Sequence, residues 1–300
     1  MGVDPATNAS PRLHSESRKS DPEDPGGTVD RFLAIAISNR EAFAPCMDVV
    51  ETALAALSGT ERRACGVGEQ GADGEPLLQQ RPLAPGQAAD AFQHLQSGGF
   101  ALVQTSRLAE DAVFRSQQTP PFKDKRWLWT LAGDLQERED SINPPLAIPD
   151  FLQARRRGTH PGEVSFLQFL AFLHSFGNLR REAVPLSPIE RALESTLSLI
   201  PTRYEGGPFL AAAAEQRVML IQSHGMPLWI RALGEEDTTA APDETLRIPT
   251  GFRPGRALAV TNVPPDGSEW RALSPHCRII VDRIGQTRIT PTAASDNPRN

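Results

Sequence analysis

Cysteine is scarce in this sequence. Cys46, Cys65 and Cys277 lie far apart, and no Cys-x-x-Cys pair occurs among them. Such spacing supports neither a zinc site nor a disulfide framework, so no metal centre is expected. Cys46 falls in a helical pattern and Cys277 opens an apolar strand, and both are expected to be buried as small hydrophobes. Long apolar runs are missing as well. No stretch reaches the roughly 18 apolar residues of a membrane span, and the first residues lack the apolar core of a signal peptide. A soluble, cytoplasmic protein of bacterial type, without a membrane partner, is expected.

Positive charge is also in short supply. Thirty-one Lys and Arg stand against 37 Asp and Glu, for a net charge of −6 and a pI near 5.6. Sequence-independent binding to nucleic acid needs a basic face, so that class of partner is excluded. The cluster Arg155-Arg156-Arg157 is too short to alter this and reads as a solvated loop. Gly66-x-Gly68 has no third glycine opening a helix, so it is no nucleotide fingerprint, and no cofactor is expected. There is no Gly-x-Ser-x-Gly elbow, the six histidines lack metal-ligand spacing, and no repeat of roughly 20 to 50 residues is visible.

What the sequence does contain begins at Asp30. The run Arg31-Phe32-Leu33-Ala34-Ile35-Ala36-Ile37 follows a polar, Pro-rich leader and reads as a strand buried on both faces. Residues 1–29 and the tail 291–300 are too polar to pack and are expected to be disordered. This leaves one domain over 30–290. Val49, Val50, Ala53, Leu54 and Leu57 recur at helical intervals over Pro45 to Leu57. Two runs flanking Asp73-Gly74 read as a hairpin. Gln87 to Gln96 reads as a short helix, followed by the strand Phe100 to Thr105. A further strand is expected over Arg126 to Leu131, with Trp127 and Trp129 on opposite faces and at least one of them packing.

Glu163 to Phe176 is almost entirely apolar, which places a buried helix there with Gly177 as its cap. His174 sits at the end of that helix, on its surface or in the core. The next helix carries the pattern Ser187-Pro188-x-Glu190, a capping box, and an inner stripe of Ile189, Leu193, Leu197 and Ile200. The final hundred residues turn to strands. Strands at both ends with helices between them imply α+β architecture, with stacked sheets covered by helices.

Several of these pieces resemble one family in order. Arg31-Phe32-Leu33, Gly66-Val67-Gly68, Leu77-Leu78 and Arg81-Pro82, Gln118 to Phe122 with Trp127-Leu128-Trp129, Glu163, and the closing Ala257 to Asn262, Trp270-Arg271 and Ile279 to Asp282 look like the class II glutamine amidotransferases. The resemblance runs from Asp30 to about Ile289. It implies an Ntn-hydrolase αββα sandwich of two stacked antiparallel sheets flanked by helices. It also implies glutamine hydrolysis by an N-terminal Cys, whose own α-amine shuttles the proton, that amine titrating near 8.

The residues that carry the family's chemistry are replaced here. Asp30 stands where the Cys is expected, with 29 residues ahead of it. The His-Asn-Gly oxyanion turn reads Leu131-Ala132-Gly133, so Gly133 keeps a backbone donor and Ala132 offers none. The His-x-Arg that positions substrate reads Thr105-Ser106-Arg107. Cys65 stands for a Trp and Pro120 for a His. Arg107 is therefore the retained candidate for a ligand carboxylate, or else an ordinary ion-pair partner of Glu110 or Asp111.

Three functions from different classes follow. The first is an inactive, amidotransferase-like binding or regulatory subunit, whose partner is an active amidotransferase or synthetase subunit. The second is a divergent amidohydrolase with a relocated nucleophile, either Cys65 or Thr28 exposed by self-cleavage after Gly26-Gly27. The third is a sensor for a glutamine-like small molecule that uses Arg107.

Overall fold

The computed structural model describes residues 30–37, 47–70, 75–87, 99–138, 148–177, 179, 181, 183–233, 257–263, 269–282 and 286–292. The leader with Thr28, Cys46, the Asp73-Gly74 turn, most of the helix expected from Gln87, and residues 293–300 lie outside these.

The strand β1 (Arg31–Ile37) has no water contact over Phe32 to Ile35. It lies inside a sheet in the order β11-β9-β10-β1-β4-β2-β3, whose neighbours pair antiparallel. These strands are β2 (Arg63–Gln70), β3 (Pro76–Leu83), β4 (Gly99–Arg107), β9 (Leu228–Leu233), β10 (Ala257–Thr261) and β11 (Arg271–Leu273). A second antiparallel sheet runs β13-β12-β8-β7-β6-β5. Its strands are β5 (Phe122–Asp124), β6 (Trp127–Glu137), β7 (Tyr204–Glu215), β8 (Val218–His224), β12 (His276–Asp282) and β13 (Thr287–Pro291).

Three buried layers follow from strand alternation. Leu33 and Ile35 of β1 face the helix α1 (Met47–Leu57), packing with Val50, Ala53, Leu54 and Leu57. Phe32, Ala34 and Ala36 point the other way and meet Leu128, Ala132, Ala212 and Ile221 of the second sheet. The outer face of that sheet is covered by α3 (Pro161–Ser175) and α4 (Leu186–Arg203), after the single turn α2 (Asp150–Gln153). The layer order is helix, sheet, sheet, helix, as the α+β sandwich expectation requires.

Trp127 and Trp129 share one face, contrary to expectation. Residues two apart in a strand point the same way, and both rings pack on α3. Trp129 stacks on Phe169 at 5.0 Å, and Trp127 meets it edge-on at 5.2 Å. The Trp129 indole N–H donates to Ser165 Oγ at 3.0 Å, so this buried donor is paired.

The capping box at Ser187 does not form either. The helix α4 starts earlier, with Pro185 at its N-cap and no side-chain cap bond. Glu190 instead reaches across to Arg288 at 2.6 Å. The inner stripe Ile189, Leu193, Leu197 and Ile200 is buried as expected. At the end of α3, the Gly177 N–H donates to the His174 carbonyl at 2.8 Å, while His174 itself is exposed and meets the Phe151 ring. The basic cluster is partly spent on structure, since Arg155 grips Asp124 through Nη1 at 2.6 and 2.7 Å.

The two sheets close tightly at Gly66 and Gly68, which put no side chain on the inner face of β2 there. A Cβ on Gly66 would sit 2.0 Å from the Pro120 carbonyl oxygen, and one on Gly68 would sit 2.8 Å from Leu128. Gly66→Ala should therefore cost about 1–3 kcal/mol of stability through overpacking. Gly207→Ala, where a Cβ has nothing within 4 Å, should be near neutral. Denaturant unfolding of the two variants side by side checks the difference.

Candidate functional site

Asp30 lies at the mouth of the gap between the sheets. It continues the alternation of Phe32 and Ala34 and so points inward. Its carboxylate Oδ2 accepts from the Gln104 amide at 2.9 Å and from the Gly133 backbone N–H at 3.3 Å, and the Ser106 hydroxyl also bonds it. The Asp30 carbonyl accepts from Asn262 Nδ2 at 2.8 Å, and Asn262 Oδ1 accepts from the Phe32 N–H at 2.7 Å. Donors thus converge from β4, from β6 and from the residue just after β10.

Each donor is itself fixed. The Thr130 hydroxyl donates to Gln104 Oε1, which orients the amide so that its nitrogen faces Asp30 and the Leu131 carbonyl, the latter at 3.2 Å. Gly133 sits where the β6–β7 register shifts, at φ 152°, and a Cβ there would lie 2.8 Å from Phe209 Cβ. Only glycine fits that corner, and its bent backbone aims the N–H at Asp30. Ala132 is buried in the core between the sheets and offers no donor.

Burial pushes the Asp30 carboxyl up to about 6, against the pull of Ser106, the Gly133 N–H and the nearby Arg63. Such a group can exchange a proton near neutral pH. As a nucleophile toward an amide a carboxylate remains weak.

Arg107 faces the other side of the sheet. It is opposite Arg63, whose Nε donates to Thr105 Oγ1 at 3.0 Å, and Thr105 in turn donates to the Leu57 carbonyl at the end of α1. Arg107 pairs with Glu61 at 3.1 Å, rather than with Glu110 or Asp111, and its side chain is 55% exposed. Around the same helix end, Arg31 donates to the Ala56 carbonyl at 3.1 Å and to that of Ser58, a cationic cap for the helix dipole. The structure therefore does not bring Arg107 to Asp30.

Cys65 lies on the α1 side, 1% exposed, and burial pushes its thiol up to about 12. Cys277 is buried between the sheets with its thiol pushed up to about 11. Neither thiol is poised to ionise. Glu163 lies within the first turn of α3 and accepts from the Arg157 and Gly158 N–H groups, both at 2.7 Å, which ties the preceding loop to the helix. Among the described residues, no group of three or more His, Cys, Asp or Glu could hold a metal ion. No described helix is long and apolar enough to cross a membrane. Gln104, Thr130 and Asn262 were not among the sequence candidates. Their signal was a polar side chain within or at the end of an apolar strand run, which must find a partner when buried.

Comparison with solved structures places this geometry. A glutamine aminotransferase class-II domain protein from Silicibacter pomeroyi aligns over 88% of this chain and 99% of its own, with TM-score 0.52 and 18% identity. A predicted glutamine amidotransferase from Pseudomonas aeruginosa aligns over 83% and 96%, at TM-score 0.49 and 15% identity. Glutamine phosphoribosylpyrophosphate amidotransferase from B. subtilis aligns over 89% of this chain and 50% of its own, at 0.47 and 11%. No protein-family model matches the sequence, and no curated protein matches it. The fold is that of an Ntn-hydrolase-type sandwich, with two antiparallel sheets between helices. Within that class it is structurally similar to glutamine amidotransferase class-II domains.

Two outcomes test the site. A carboxyl raised in the folded state binds its proton more tightly there than when unfolded, so its contribution to stability is fully present below about pH 4 and falls as pH rises toward 6. Asp30→Asn keeps an acceptor and removes the charge. It should gain stability relative to the parent protein between pH 4 and 7, read by denaturant melts across that range. Separately, iodoacetamide at pH 8 should leave Cys65 and Cys277 unmodified in the folded protein and label both in denaturant, read by peptide mass spectrometry.

Proposed function

We propose that this chain is a class II glutamine amidotransferase-like protein that does not hydrolyse glutamine and works by binding, as a regulatory or binding subunit. The observation that carries the reading is the position of the Asp30 carboxylate, which takes up the Gly133 N–H and the Gln104 amide. In the resembling family that N–H is an oxyanion donor and the residue at this position supplies a thiolate and a free amine. Here the side chain is a carboxylate, and its nitrogen is bonded to Val29. Ala132 adds no second donor, and loss of one such donor typically removes about 3–4 kcal/mol of transition-state stabilisation.

The relocated-nucleophile alternative loses support at Cys65, whose thiol is buried and pushed upward. Binding of a glutamine-like molecule through Arg107 requires that residue to leave Glu61 and the helix side of its sheet. The partner this reading calls for is an active amidotransferase or synthetase subunit. The proposed binding domain begins at Asp30 and runs through β13, which carries it to Pro291, paired with Cys277, rather than ending at the expected 290.

The decisive assay is glutamate release from glutamine by the purified chain and by a version beginning at Asp30. Neither should turn over. Glutamate release by either version would overturn the reading, and its loss in Arg107→Ala would bring Arg107 back as a substrate contact.

A further inference from the structure

A cavity of about 370 Å³ opens at the C-terminal end of α4, on the helix face of the second sheet and so across that sheet from Asp30. Its wall includes Arg138, Tyr204, Glu205, Phe209, His224 and His276. The two histidines are directly opposite each other on β8 and β12. On the same face Gln222 and Arg278 form the adjacent pair in the ladder.

Hydrogen bonding fixes one imidazole. Glu194 holds Arg278 at 2.6 Å, and Arg278 Nε donates to Gln222 Oε1 at 2.8 Å. The Gln222 amide nitrogen then faces His224 Nε2 at 2.9 Å. An amide nitrogen only donates, so Nε2 accepts and the ring proton of His224 sits on Nδ1. The Phe209 ring lies almost parallel on His224, 4.8 Å away at 12°. Among the described residues His276 Nδ1 has no hydrogen-bond partner, so this nitrogen is open to a ligand.

We propose that this cavity binds a small organic anion whose charge is carried on a flat ring, an aromatic carboxylate being the simplest member. The Phe209, His224 and Tyr204 rings supply flat apolar walls, and the His224 Nδ1–H is a donor set beside them. Arg138 stands at the rim, and the acidic group there, Glu205, is engaged by it at 3.6 Å. Burial, with His276 and Arg278 nearby, pushes the His224 imidazole down to about 4, so at neutral pH it meets a ligand as a neutral N–H donor. The positive charge for the carboxylate comes from Arg138. The proposal is independent of what happens at Asp30.

Benzoate titrated into the full-length chain, followed through the imidazole carbon–proton NMR signals, tests it. Benzoate at millimolar concentration should shift two imidazoles saturably, one of which vanishes in His276→Leu. The neutral analogue benzamide should bind at least roughly tenfold more weakly. His276→Leu breaks no side-chain hydrogen bond, so it should melt like the parent protein, yet bind benzoate roughly tenfold more weakly. Arg138→Gln, a change at the rim, should weaken benzoate and not benzamide. The proposal is overturned if benzoate moves neither imidazole, if benzamide binds as tightly, or if both variants bind benzoate as the parent does.

Discussion

Phe32, Leu33, Ala34 and Ile35 of β1 are wholly sealed from water, and that single constraint dictates the layers. A strand apolar on both faces has to be covered twice. On one side the cover is α1, whose stripe of Val50, Leu54 and Leu57 meets Leu33 and Ile35. On the other side the cover is a second sheet, with Ala212, Ala214 and Ile221 against Phe32 and Ala34. That second sheet then has an apolar outer face of its own, bearing Trp127 and Trp129. The nearly all-buried α3 and the striped α4 close it.

The same constraint explains where the polar groups gather. A layer between two sheets excludes water, so Gln104 and Thr130 must satisfy each other there, and they do so across the gap. The residue at the entrance inherits what is left of their bonding capacity. Asp30 takes the remaining amide hydrogen of Gln104 and the N–H that the kink at Gly133 turns toward it. The site is therefore a by-product of sandwich packing as much as of any ligand, and its proton affinity follows from burial more than from a neighbouring charge.

Local periodicity was legible in the chain, and long-range register was not. The β1 run, the apolar α3 and the stripe of α4 each announce themselves within a dozen or so residues. The capping pattern at Ser187 was a local signal that tertiary contact overrode, because Glu190 is drawn to Arg288 on β13. Arg107 shows the opposite limit. Its residue type suits a carboxylate, but which face of β4 it occupies depends on alternation from Gln104 and Ser106, and that places it with Glu61. The pairing of His224 with His276 needs the register of β8 on β12, which no spacing within the sequence encodes.

An acidic residue at position 30 is compatible with the fold for a definite reason. The Gly133 N–H and the Gln104 amide are donors in a water-poor gap, and a buried donor without a partner costs about 1–3 kcal/mol. A carboxyl supplies acceptors to both, at the expense of its own desolvation, which appears as a raised pKa rather than as a broken sheet. An alanine at the same place would leave both donors to water or to nothing. The core between the sheets, built from Phe32, Ala34, Leu128 and Ile221, does not depend on the chemistry at its rim. Sandwich and site are thus separable: the layers persist whatever stands at position 30, provided it can accept those two hydrogens.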